Sequence, residues 1–263
     1  MSQSRIDRRK RIMTQLLDKK QVTVKALAEA MDVSDATVRR DLKILAEEQS
    51  LELNHGGVSL PADRDYSYQA KSLRASEAKR TIGRLAGELI VNGAHIFLDS
   101  GTTCSEVLPY LKRKHNVTVL ANSARLALDL ATSGIHLFMV GGEYRPDRMD
   151  MVGPMALRAL DAVRGYVAYI GTDGINMEFG PSASDAESAY LHQLVVKNAS
   201  STVLLSDQSK FDSSSLFQIV DWSQIDKVVT DQPPSLEWKE FFLDQDIPVI
   251  FPDATNRSEN STT

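Results

Sequence analysis

A chain of 263 residues with 42% hydrophobic and 25% charged residues has the composition of a folded protein, built as one large domain or two smaller ones. No apolar run approaches the ~18–20 residues of a bilayer span, and no apolar signal core follows the basic N-terminus, so a cytoplasmic protein with no membrane partner is expected. The single cysteine, Cys104, excludes an intrachain disulfide framework and a cysteine-rich metal site. The net charge of −5 conceals an asymmetry. Residues 1–45 hold 11 Lys/Arg against 6 Asp/Glu, and the remainder holds 19 against 29. That split implies a small basic module joined to an acidic body.

Periodicity predicts a first helix over residues 5–18, with Ile6, Met13, Leu16 and Leu17 on one face and Arg8, Arg9 and Arg11 solvated. A second helix starts with Thr23 as N-cap and carries Val24, Leu27, Ala28 and Met31 at helical spacing. Asp32-Val33 makes a turn. Ser34 then caps a third helix with Val38, Leu42 and Leu45 on its stripe. LELNHGGVSL follows, with apolar residues alternating about a Gly-Gly pair, the pattern of a hairpin wing. Two short helices joined by a tight turn, the second basic opposite its apolar stripe, are the layout of a DNA-reading helix-turn-helix. Its groove-facing residues are Ser34, Asp35, Ala36, Thr37, Arg39 and Arg40, because Arg pairs with guanine and Thr meets the thymine methyl. Lys43, Thr23 and Lys25 are assigned to phosphate, the Arg5–Arg11 cluster to sequence-independent attraction, and His55 at the wing tip to the minor-groove border. The competing role for Arg39 is an i, i+4 pair with Asp35.

A DNA-binding domain is thus placed at 1–60 and a polar linker, PADRDYSYQAKSLRA, at 61–75. Residues 76–253 read as an α/β domain. A helix around Ile82–Leu89 leads into AHIFLD, and short apolar strands then alternate with amphipathic helices as far as IPVIF. That pattern indicates a mainly parallel sheet covered on both faces. A polar tail at 254–263 is expected to be disordered.

Five segments follow predicted strands: Asp99-Ser100-Gly101-Thr102-Thr103, Ala121-Asn122-Ser123, Gly141–Arg145, Gly171–Ile175 and Ser206–Phe211. Ligands of open α/β sheets collect beyond the C-terminal strand ends, so the five are expected to converge on one pocket. Thr102, Thr103 and Ser123 suit a phosphate, Arg145 and Lys210 supply positive charge, and Asp99, Asp173 and Asp207 can accept from sugar hydroxyls. Cys104 reads as a packing residue, Trp222 and Trp238 likewise, and the histidines lack metal-ligand spacing. No cofactor or metal is expected.

VSDATVRRDLKIL with NHGGV resembles the winged helix-turn-helix of the DeoR family of bacterial transcription regulators. DSGTT, ANS, GGEYR, IGTDGI and SDQSKF resemble the stations of that family's sensor domain. The resemblance implies a sensor similar in fold to ribose-5-phosphate isomerase that binds a sugar phosphate or related intermediate. It implies ligand contact at Asp99, Gly101, Thr102, Thr103, Ser123, Gly142, Arg145, Asp173, Gly174 and Lys210. Family members commonly carry a Glu and then a Lys on the helix after the fourth station; here Glu187 matches and His192 stands near the Lys position. The expected protein is a homo-oligomeric repressor of a carbohydrate operon that binds double-stranded operator DNA and is not an enzyme. The alternative is an isomerase-type enzyme carrying a DNA-binding domain.

Overall fold

The computed structural model describes residues 3–19, 21–49, 51–54, 56–59, 68–130 and 134–252. The chain divides into two compact units, Met1–Ser76 and Glu77–Thr263.

The first unit contains α1 (Gln3–Lys19), β1 (Gln21–Thr23), α2 (Val24–Met31), α3 (Asp35–Gln49), β2 (Glu52–Asn54), β3 (Gly57–Ser59) and α4 (Tyr68–Leu73). Thr23 caps α2, its Oγ1 accepting from the Ala26 N–H at 3.2 Å. Asp32 takes a left-handed conformation (φ 53°), and the Val33 N–H returns to the Ala28 carbonyl at 3.1 Å, which closes α2 and turns the chain. The core is the predicted set of helical positions, Val24, Leu27, Ala28, Met31, Val38, Leu42 and Leu45, joined by Ile12, Met13 and Leu16. The side chains of Ile6 and Leu17 lie outside the described residues. The wing is a three-stranded antiparallel sheet in the order β1-β3-β2, where sequence showed only the hairpin. β1 was missed because three residues between two helices show no alternation. The segment read as a linker is partly helical: α4 occupies 68–73, and Leu73 packs against the helix-turn-helix core. Residues 74–75 of that segment form a turn, and its first part, 61–67, and the predicted tail, 254–263, lie outside the described residues.

The second unit begins with α5 (Ser76–Leu89), β4 (His95–Leu98), α6 (Thr102–Ser105), α7 (Leu108–Leu111), β5 (Thr118–Ala121), α8 (Ala124–Leu130) and β6 (His136–Met139). A hairpin of β7 (Glu143–Arg145) and β8 (Asp150–Val152) leads to α9 (Gly153–Asp161), β9 (Val167–Gly171), β10 (Gly174–Asn176), β11 (Gly180–Ala183), α10 (Ala186–Asn198) and β12 (Ser201–Leu205). β13 (Phe217–Gln218), β14 (Lys227–Val229), α11 (Leu236–Asp244) and β15 (Val249–Ile250) complete it. Seven strands form one parallel sheet, β15-β14-β12-β9-β4-β5-β6. Side-chain alternation along each strand splits the core in two. Phe97, Leu120, Ala168, Ile170, Leu204 and Val228 pack with α9, α10 and α11 on one face. Ile96, Leu98, Val119, Tyr169, Val203 and Val229 pack with α5, α7 and α8 on the other. Trp222 and Trp238 are buried in an aromatic cluster with Phe241 and Phe242, as their packing assignment required. The antiparallel pieces, β7-β8 and the sheet β10-β11-β13, were not anticipated; their strands are two to four residues long, too short to show alternation.

The first strand of the parallel sheet, β4, lies between β9 and β5. The chain builds outward from it on both sides, so the strand order reverses at β4/β9, the switch point of a doubly wound sheet.

Candidate functional site

In the first unit the N-terminal half of α3 is open. Ser34 caps it, its Oγ accepting from the Thr37 N–H at 3.3 Å and lying 3.0 Å from Thr37 Oγ1. Ser34, Asp35, Ala36, Arg39, Arg40 and Lys43 are exposed and Thr37 is half-buried. Among the described residues Arg39, Arg40 and Lys43 make no ion pair, and the Asp35–Arg39 alternative is not formed. Lys25 is exposed at the start of α2. His55 lies outside the described residues.

The arginines of α1 behave differently from expectation. Arg8 Nε donates to Asp41 Oδ2 at 2.6 Å and Arg9 Nε to Asp41 Oδ1 at 3.2 Å, while Asp41 itself is 3% exposed. Arg11 Nη2 donates to the Ala30 carbonyl at 3.2 Å. Arg8 and Arg9 are therefore not solvated cations; they fasten α1 to the recognition helix. The signal was present in the sequence, because Asp41 falls at i+3 from Val38, inside the apolar stripe of α3.

In the second unit the five segments gather along the C-terminal edge of the sheet. Asp99, just past β4, sits at the switch point. Its Oδ2 accepts from the N–H groups of Gly101 and Gly171, both at 3.2 Å, and its Oδ1 is 2.9 Å from His192 Nε2 on α10. The Gly101 turn is tight enough that a Cβ there would lie 2.9 Å from Asp99 Oδ2. Burial alone would raise the Asp99 pKa, but the charge and hydrogen bond of His192 and the two N–H groups outweigh it and hold the carboxyl below its ordinary value. His192 is 7% exposed; burial opposes its protonation, and Asp99, then Asp173 and Asp185, overcome this and lift its pKa above the ordinary value. Cys104 is buried beside Asp99, and burial pushes its thiol pKa well up, which suits packing rather than redox chemistry.

Ser100 Oγ links Asp99 to Asp150 of the β7-β8 hairpin, at 3.4 Å to each. Arg145 lies across this hairpin. Its Nε and Nη2 hold both oxygens of Asp150 at 2.8 and 2.7 Å, Nη1 reaches Asp185 (2.7 Å) and Glu187 (3.3 Å), and Nη2 also donates to Ser188 Oγ at 2.9 Å. All five guanidinium N–H donors are thereby used. Arg148 adds contacts to Asp185 Oδ2 (3.0 Å) and Ser184 Oγ (3.1 Å), and the Ser184 N–H donates to Asp173 Oδ2 at 3.0 Å. Arg145 is thus a clamp between the hairpin and the start of α10, not the free cation that the sequence suggested.

Other predicted residues sort by what they touch. Ser123 is fully buried, and its Oγ accepts from the Leu126 N–H at 3.3 Å as the cap of α8. Gly142 and Gly174 are glycine for packing: a Cβ would meet the Val152 carbonyl oxygen at 2.4 Å and the Ser213 carbonyl oxygen at 2.6 Å. Asp207 is buried and caps the 3-10 turn Gln208–Lys210. Among the described residues the Thr102 and Thr103 hydroxyls have no protein hydrogen-bond partner, and Lys210, half-exposed, has no carboxylate partner. Among the described residues four buried side-chain atoms have neither a hydrogen bond nor an ion pair: Asn122 Oδ1, His192 Nδ1, Gln208 Oε1 and Asn198 Oδ1. Asn122 and Gln208 belong to the strand-end segments and His192 to the Asp99 pair. Buried polar atoms in folded proteins are nearly always satisfied, and three of these four lie at the C-terminal edge of the sheet.

Residues 8–64 match the DeoR-like helix-turn-helix domain and residues 74–232 match the DeoR C terminal sensor domain. The chain belongs to the DeoR family. Within that family it is 30% identical to the HTH-type transcriptional regulator GlpR of Haloferax volcanii, over 86% of this chain and 89% of the relative. It is 28% identical to the glycerol-3-phosphate regulon repressor of Escherichia coli, over 86% and 90%. These names describe regulators. The α/β unit also has a partial likeness in fold to ribose 5-phosphate isomerase from Plasmodium falciparum, at a TM-score of 0.38 and 17% identity over 51% of this chain and 52% of that one. A likeness of that extent says nothing about activity. This DeoR-family chain contains no helix long and apolar enough to cross a membrane among its described residues.

Sequence reasoning missed Asp150, Arg148, Asp185, Ser184 and Ser188 and set His192 aside. The spacing Asp185-x-x-Ser188 is a cap signature, and it is realised: Asp185 Oδ1 accepts from the Ser188 N–H at 2.9 Å. Nothing local in sequence says that the same carboxylate also holds Arg145.

Proposed function

We propose that this DeoR-family regulator represses a carbohydrate-utilisation operon in the cytoplasm. A phosphorylated sugar or related intermediate, bound at the C-terminal edge of the parallel sheet, alters its affinity for operator DNA. The observation that carries the reading is the basic face of α3: Arg39, Arg40 and Lys43 are exposed and, among the described residues, make no ion pair, whereas Arg8, Arg9, Arg145 and Arg148 are each taken up by acids. Cations left free on a capped recognition helix suit base edges and phosphate. The effector half is supported by the switch-point position of Asp99, by the hydroxyls of Thr102 and Thr103 and by Lys210, which have no partner among the described residues, and by the name of the glycerol-3-phosphate relative. A second copy supplies the second α3 for a two-fold operator.

The isomerase alternative draws less support. Asp99, the natural base, already accepts two N–H groups and the His192 contact and is held below its ordinary pKa, which makes it a poor proton acceptor near neutral pH.

The test combines a gel shift on DNA upstream of the chain's own gene with a thermal-shift screen of glycerol 3-phosphate and pentose and hexose phosphates. A compound that raises the melting temperature, changes the gel shift and is recovered unchanged supports the regulator. Turnover of the compound, or a gel shift indifferent to every stabilising compound, refutes it.

A further inference from the structure

His192 is the one group of the Asp99 pair with a free valence. Asp99 accepts from two backbone N–H groups through Oδ2, so it is the ionised, acceptor-only member. A carboxylate oxygen 2.9 Å from Nε2 requires the hydrogen on Nε2. What remains is Nδ1, buried and without a partner. In neutral imidazole Nδ1 is a lone pair; in imidazolium it is an N–H donor. The charges that act on the ring from the surrounding elements include Asp99 after β4, Asp173 after β9 and Asp185 at the start of α10, all acidic. The nearby cations Arg145 and Arg148 are bound to Asp185, and Cys104 beside Asp99 is held in its neutral form by burial.

We propose that His192 Nδ1 is a direct contact for an anionic oxygen of the effector, made by the imidazolium form, so that effector binding takes up a proton at His192. The inference rests on reading the strand-end edge as the effector site. A buried Nδ1–H with no acceptor is a costly loose end, and a phosphate or carboxylate oxygen satisfies it. The same oxygen opposite a neutral ring would meet a lone pair. Anion binding and protonation are therefore linked, each strengthening the other by the same factor. The three acids already favour the proton, and the raised pKa of His192 agrees with this. Above the pKa of His192 in the unliganded protein, anion affinity falls by up to about tenfold per pH unit; below it, affinity is flat.

Sulfate is the probe, because it carries its charge unchanged between about pH 6 and pH 9 and leaves the proton count to the protein. The full chain, with nitrogen-15 in its histidines and backbone, is titrated with sulfate at several pH values and followed by NMR. Sulfate is expected to shift His192 Nδ1, to raise the pH at which His192 titrates, and to bind more weakly as pH increases. His192→Gln should keep a cooperative melting transition and lose the pH dependence; if that variant does not fold, the wild-type titration alone decides. Sulfate that moves the Thr102 and Thr103 amide signals and leaves His192 unchanged overturns this inference and spares the strand-end site. Sulfate that moves none of these signals overturns both.

Discussion

Arg145→Ala distinguishes a structural clamp from a ligand-binding cation. Arg145 is 18% and Asp150 5% exposed at their side chains, and the two exchange a bidentate pair of bonds at 2.7–2.8 Å. Removing the guanidinium leaves Asp150 with the Ser100 hydroxyl, 3.4 Å away, and strips Asp185 and Ser188 of a donor. Breaking a buried pair from one side costs about 3–5 kcal/mol, since the stranded charge remains out of water. In a unit of this size each kcal/mol shifts the melting temperature by about 2–4 °C, so a fall of about 6–20 °C is expected in the transition of the second unit. Differential scanning calorimetry of the full chain reads it directly. Adding Asp150→Asn should restore part of the loss, because the stranded charge is then gone. A fall worth under about 1 kcal/mol is what an exposed ion pair gives, and it would refute the clamp and return Arg145 to the pool of free effector cations.

Arg39→Ala and Arg40→Ala should each cost about 1–3 kcal/mol of operator binding while leaving the melting temperature unchanged; an unaltered gel shift removes them from the readout. Asp41→Asn leaves Arg8 and Arg9 without their counter-charge and should destabilise the first unit by about 1–3 kcal/mol; an unchanged transition in a thermal melt would show that the pairing adds nothing. The Asp99–His192 pair makes stability fall on both sides of neutrality. The raised His192 contributes fully below its unfolded pKa near 6.5, and that contribution is lost as pH rises through the folded value; the lowered Asp99 contributes above about 3.8, and its share is lost as pH falls through the folded value. Urea melts across pH should show His192→Gln with a flatter alkaline limb, and an identical profile would mean that the pair is not coupled to folding.

Elements with strong local rules were legible in the sequence. Thr23 and Ser34 cap α2 and α3 because a hydroxyl before a helical stripe has few better uses, and the apolar strands of the parallel sheet stand out because both of their faces are buried. The same rules are silent on partnership. Arg8 and Arg39 are indistinguishable as residue types, yet one is consumed by Asp41 and the other is open. The difference lies in a helix crossing between residues 33 positions apart. GGEYR was correctly placed beyond a strand end and misread in chemistry for the same reason: Asp185 and Glu187, 40 and 42 positions away, meet Arg145 only when the start of α10 lies against the β7-β8 hairpin.

The acidic balance of the body acquires a location through these partners. Asp99, Asp150, Asp173 and Asp185 are linked through Ser100, Arg145, Arg148, Ser184 and His192 into one polar network at the switch point. With Glu187 on Arg145, five carboxylates of the described residues face two permanent cations, Arg145 and Arg148, and His192 adds a positive charge only when it is protonated. An acidic network of this kind repels an anion unless it gains positive charge; among the described residues Lys210, which has no carboxylate partner, and His192, which can acquire one proton, can supply it. A regulator whose recognition helix keeps its arginines free and whose sensor commits its own to acids has divided one residue type between two tasks. On the proposed function, that commitment makes the sensor's response to its ligand conditional on a proton at His192, whereas the arginine charge that α3 offers to DNA needs none.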